Sequence, residues 1–235
     1  AVIGMLDRLI AELSDMLHSP RFTDAMSEYS VSFARILSDK AIIASAFLRT
    51  VGQTINGISE DFSGKWQFLS DPSFYCGILF FLLLPLSIYN LEKRKKWLYI
   101  SIVVASVLYI AVIPIRIVAN GFSGNDFRQS SFWICIFMLL IAMEALKRIF
   151  HESKLKKGSL EVFQCSVAVT ITVLLFIGKA QYAVRIEALM LSVFFIMLYG
   201  IVMPYWAMKP ERRNWITRSL CVIFVIETLA VSWDT

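Results

Sequence analysis

The chain is poor in the residues that build metal and nucleophilic centres. Its two histidines, His18 and His151, lie far apart, which argues against a histidine-based metal site. None of its four cysteines, Cys76, Cys135, Cys165 and Cys221, has the close spacing that a metal site or redox pair needs. Each sits inside or at the edge of an apolar run, where cysteine acts as a small apolar residue. HExxH, GxSxG, a phosphate-cradling glycine loop and a βαβ pattern are all missing, as are internal repeats. No basic segment precedes a signal-like core at the start, AVIGMLDRL, and no initiator methionine stands there. The chain stops at VSWDT, directly after an apolar run. These ends lead to the expectation of an internal fragment, joined in life to the remainder of a parent chain.

Charge is scarce as well. Charged residues make up 17% of the 235 residues and hydrophobic ones 57%, with a mean hydropathy of +0.66. Ordinary soluble domains hold about 45–50% apolar residues. The composition points to an integral membrane protein, long enough for several spans of about 20 residues each. The net charge of +5 comes from basic residues gathered in short loops, so topology explains it better than nucleic acid does.

Two regions are expected. Residues 1–73 read as extracytoplasmic, amphipathic helices and loop that lie along the interface or pack on the bundle. In VIGMLDRLIAELSDML, Ile3, Leu6, Ile10, Leu13 and Leu17 share a face, with Asp7, Glu12 and Asp15 mostly opposite. A second helical stretch follows over 29–51, then a loop over 56–74. Residues 74–235 read as an all-α, polytopic bundle of about six spans: 74–90, 97–118, 131–147, 160–178, 186–207 and 216–232. Their connections alternate in charge. The positive-inside rule puts EKRKK (92–96), KRIFHESKLKK (147–157) and KPERR (209–213) in the cytoplasm. Residues 1–73, the loop NGFSGNDFRQ, the loop GKAQY and the carboxyl end then face outward.

Ionisable residues within spans are expensive and mark candidate sites. Glu144 and Glu161 lie near basic loops and are expected to pair there. Arg116 either snorkels to the interface or holds a phosphate. Glu227, in VIETLAV, has no local basic partner and either faces a polar cavity or bonds another helix. Pro85, Pro114 and Pro204 are expected to kink their helices. The stretch ANGFSGNDFRQSSF (119–132) is polar between two apolar runs. Asn120 and Gly121 make a good turn signal. Arg128, beside Asp126 and among Phe122, Phe127, Phe132 and Trp133, suits a phosphate at headgroup depth; the plainer reading is a turn between spans.

Four stretches, in this order, resemble the bacterial YfhO family of multi-spanning membrane proteins. They are MLHSPR (16–21), FSGKWQFLSDPSFYCGILFFLLLPLSIYN (62–90) with its Tyr-x-Gly entry, IPIRIVANGFSGNDFRQSSFWICIFMLLIAMEAL (113–146), and VIETL (225–229). One departure is that Gln129 and Ser130 stand between Arg128 and Ser131-Phe132. The resemblance implies a GT-C-like glycosyltransferase of the bacterial cytoplasmic membrane. It would pass a sugar from a polyprenyl-phosphate donor to an envelope polymer such as lipoteichoic acid, on the outer face. It implies a catalytic acid upstream of residue 1; from the residues themselves no cofactor or metal is expected. Arg128 would then touch the phosphate, with Asn120 and Gly121 shaping the loop and Glu227 holding Arg116 or a helix. The alternatives are a transporter or flippase of a lipid-linked precursor, and a scaffold for an envelope complex.

Overall fold

The computed structural model describes residues 36–57, 62–63, 71–121, 125, 127, 131–147, 158–179, 184–208 and 213–232. The amphipathic helix expected over the first residues lies outside them. Among the described residues the regular elements are all helices: α1 (Lys40–Val51), α2 (Ile78–Asn90), α3 (Lys93–Ala111), α4 (Ile113–Ala119), α5 (Ser131–Lys147), α6 (Ser159–Lys179), α7 (Ile186–Met208) and α8 (Arg213–Ser232). The one pairing of extended backbone among them is an isolated antiparallel bridge, Leu37 to Val112. They form two compact units. The smaller holds residues 36–38, 107–121 and 125, and the larger holds the rest, α3 running through both.

In the larger unit α2 is central and packs on α1, α5, α6 and α7, while α7 also packs on α6 and α8. Its sequence, ILFFLLLPLSIYN, has no polar face, which suits a helix with neighbours all round. Ile78, Leu79, Leu82, Leu83 and Leu86 are buried. Polar pins fix it in this apolar setting. Ser87 Oγ donates to the Ile141 carbonyl at 2.5 Å, and Ser159 Oγ donates to Asn90 Oδ1 at 2.9 Å.

Helix α1, from the region expected to lie along the interface or pack on the bundle, packs on it. Ala44, Leu48 and Val51, with Ile55 after them, join the core that α2, α6 and α7 build. Two features of KAIIASAFLRTV allow this. Its small residues permit close approach, and its one buried cation, Arg49, finds Asp71 inside the protein.

Two helices, over Ser159–Gly178 and Ile186–Tyr205, are long and apolar enough to cross a membrane, with mean hydropathies of 2.1 and 2.2. Helices occupy the other four expected spans, but α2 has 13 residues and α5 17, below the usual requirement of about 20. Helix α3 opens on KRKK, and α8 carries Arg213, Arg218 and Glu227. The expected span 97–118 is broken rather than kinked. Val112 is extended (φ −114°, ψ 110°) between α3 and α4, and Pro114 occupies the first turn of α4. Proline is at home there, because its missing N–H would be unsatisfied anyway. Pro85 and Pro204 stay inside continuous helices.

Candidate functional site

The break between α3 and α4 creates the polar centre of the smaller unit. A continuous helix would have bonded the Ile110 carbonyl to the amide of residue 114, but Pro114 has none. That oxygen instead accepts from Ser38 Oγ at 2.7 Å and from Arg116 Nη1 at 3.1 Å. The Ala111 carbonyl accepts from the Ser38 amide at 2.8 Å. Arg116 is 0% exposed. Its Nη1 also donates to Ser38 Oγ at 3.2 Å, and its Nε donates to Asn125 Oδ1 at 2.8 Å. The snorkelling reading of Arg116 therefore does not hold. Freed carbonyls at the negative end of α3 give the guanidinium better partners than the interface would.

The turn after α4 is built on the same residues. The Asn120 amide donates to the Arg116 carbonyl at 2.9 Å, and Tyr109 Oη donates to Asn120 Oδ1 at 3.0 Å. Asn120 sits at φ −83°, so the left-handed step falls to Gly121, at φ 62°. A Cβ on Gly121 would meet nothing within 4 Å, which makes conformation, not close approach, its reason for being glycine. Arg128 lies outside the described residues, as do Asp126 and Phe122.

In the larger unit, Phe127 is fully buried and meets Phe74 edge to face at 6.1 Å. Its ring is held against Phe74 inside the protein. Phe132 and Trp133 stay 64% and 58% exposed at the start of α5. That exposure suits side chains at headgroup depth.

Glu227, also in the larger unit, is 0% exposed and bonds other elements rather than a cavity or Arg116. Its Oε1 accepts from Tyr75 Oη at 2.6 Å and from the Ile78 amide at 2.8 Å; Oε2 accepts from Tyr199 Oη at 2.6 Å. The carboxylate of α8 thus caps the amino terminus of α2, where the local N-cap is Gly77, which has no side chain to do so. Gly77 has φ 106°, and a Cβ there would lie 2.7 Å from the Phe224 ring. Of the two readings of Glu227, a bond to another helix is the one the geometry shows. Two of the quoted stretches, the Tyr-x-Gly entry and VIETL, meet here.

A buried ion pair had no signal in the sequence. Arg49 Nη1 lies 3.8 Å from Asp71 Oδ2, with both side chains almost fully buried. Arg49 also donates to the Asp71 carbonyl at 3.3 Å and lies 5.3 Å over the Phe62 ring. Ser45 Oγ bonds the Asp71 carboxylate and accepts from Asn56 Nδ2 at 2.6 Å. Burial lowers the Arg49 pKa, and the Asp71 charge opposes that shift. Elsewhere Glu144 meets Lys95 at 3.7 Å, a pairing of the kind expected for it.

Two apolar clefts of the larger unit, about 490 and 550 Å³, are lined by residues such as Leu84, Pro85 and Val103, and Tyr99, Phe137 and Met143. Neither is lined by Arg116, Asn120, Gly121 or Glu227. Among the described residues no group of three acidic, histidine or cysteine side chains could hold a metal. No family model, curated protein or solved structure matches the chain.

Proposed function

We propose that the chain is part of a bacterial membrane glycosyltransferase, similar to the YfhO family. It takes a sugar from a polyprenyl-phosphate donor on the outer face and passes it to an envelope polymer such as lipoteichoic acid. The observation that carries this reading is the buried Arg116 at the foot of the Asn-Gly turn, bonded through Asn125 to the polar loop itself. An idle connection has no need of a buried guanidinium. In this reading six helices span the cytoplasmic membrane, and the basic loops 92–96, 147–157 and 209–213 lie inside.

The roles divide by what each residue can still do. Arg128 contacts the donor phosphate as a guanidinium fork and stabilises the charge left on phosphate as the sugar–oxygen bond breaks. Arg116 positions the loop, because its donors serve Ser38, Ile110 and Asn125. Asn120 and Gly121 set the turn. Glu227 holds α8 to α2.

The test is sugar transfer from a labelled polyprenyl-phosphate donor in membranes carrying the intact protein. Arg128→Ala removes a charge-assisted bond worth about 1.5–3 kcal/mol. Transfer is expected to fall roughly 10- to 150-fold, and Arg128→Lys is expected to recover only part of it. Near-normal transfer by a stably expressed Arg128→Ala protein would sink the proposal.

One observation favours a second reading, movement of a lipid-linked precursor across the bilayer. The break at Val112 is the kind of discontinuity that transporters place at substrate sites. It has no counterpart at Pro85 or Pro204 among the described residues, so the paired breaks of an inverted repeat are not in view. Donor flipping without sugar transfer in the same membranes would select that reading.

A further inference from the structure

Cys76 and Cys135 are far apart in sequence, yet the fold brings them to one place. Cys76 lies two residues before α2, and Cys135 sits in the second turn of α5, the helix that packs along α2. Cys135 Sγ lies 3.9 Å from the carbonyl oxygen of Tyr75, the residue joined to Cys76. Standard peptide geometry then puts that sulfur no more than about 7 Å from the Cys76 Cα. Both thiols are free and partly exposed, whereas Cys165 and Cys221 are exposed on α6 and α8.

We propose that Cys76 and Cys135 are a disulfide-forming pair that staples the entry of α2 to α5. The charge pattern of the loops puts both at the outward ends of their helices, and extracytoplasmic compartments are where disulfides persist. The staple would close beside Tyr75 and Ile78, which grip Glu227, and so lock the turn that the α8 carboxylate caps.

The chemistry is thiol–disulfide exchange with an external disulfide. One cysteine thiolate attacks a sulfur of the donor disulfide and expels the first thiol, leaving a mixed disulfide on the protein. The other cysteine thiolate attacks the protein sulfur of that bond and expels the second thiol. The protein loses two electrons and two protons, and the donor disulfide becomes two thiols.

The experiment treats the purified, detergent-solubilised chain with oxidised glutathione, alkylates the remaining thiols and maps the peptides by mass spectrometry. Two of the four thiols are expected to escape alkylation, and a peptide pair linking Cys76 to Cys135 should be about 2 Da lighter than its reduced parts. Cys76→Ser should return Cys135 to the alkylated pool, and Cys135→Ser should return Cys76. The double variant Cys165→Ser/Cys221→Ser should leave the linked peptide in place. Four alkylated thiols after oxidation, or a link that runs between chains or through Cys165 or Cys221, would overturn the pair. The readout contains no sugar transfer, so its failure is separate from failure of the proposed function.

Discussion

Arg116 shows how one side chain can depend on a defect two residues away. The carbonyl it takes is open because Pro114 lacks an N–H, and the oxygen of Asn125 closes the other side of the guanidinium. Lysine concentrates its donors on one nitrogen and cannot serve Asn125 and Ile110 as a planar fork does. Arg116→Lys is therefore expected to cost about 2–3 kcal/mol, against the mild effect expected of a snorkelling residue. Thermal unfolding in detergent reads this directly, and an unchanged midpoint would return Arg116 to the interface. Glu227 makes the matching case for an anion. Glu227→Ala leaves two phenols and the Ile78 amide without their acceptor, whereas Glu227→Gln keeps one oxygen. The alanine variant is expected to be the less stable by about 1–3 kcal/mol, and equal unfolding midpoints would contradict the capping role.

At the level of elements, two features decide how the helices sit: the break at Val112 and the docking of α1. Pro114→Ala restores an amide that can bond Ile110 and lets α3 run on into α4. The Ser38 amide then loses the Ala111 carbonyl to residue 115. Hydrogen exchange at Ser38 is expected to speed up by about tenfold or more, the equivalent of roughly 1.4 kcal/mol. Unchanged exchange would mean the break is held by something other than proline. For α1, the Arg49–Asp71 pair is the point of failure. Asp71→Ala strands a buried guanidinium and is expected to cost about 3–5 kcal/mol, while Arg49→Met with Asp71→Leu should recover much of the loss. A double variant no more stable than Asp71→Ala would show that the pair does more than satisfy itself.

Across the whole molecule, what was legible in the sequence was what hydropathy carries. The runs that became α6 and α7 stand out by length and composition, and they foretell the helices that make up the regular elements among the described residues. The Asn-Gly turn was legible because glycine alone takes φ 62° at no cost. Partnerships across long separations were not. Arg49 stands in an amphipathic stretch, Asp71 in a polar loop and Tyr199 in an apolar run, with no partner close in sequence to mark them. Nothing local marks a hydrogen bond between residues 28 or 152 positions apart. The proposed function needs one property of the whole chain above the others: the loop 119–132 must face outward while EKRKK faces the cytoplasm. A protein with all four cysteines changed to serine, carrying either Ser123→Cys or Lys95→Cys, tests it in intact cells with a membrane-impermeant maleimide. Ser123→Cys should label in intact cells, and Lys95→Cys only after the membrane is opened. Labelling of both from the same side would contradict an outward donor site and the span order it depends on.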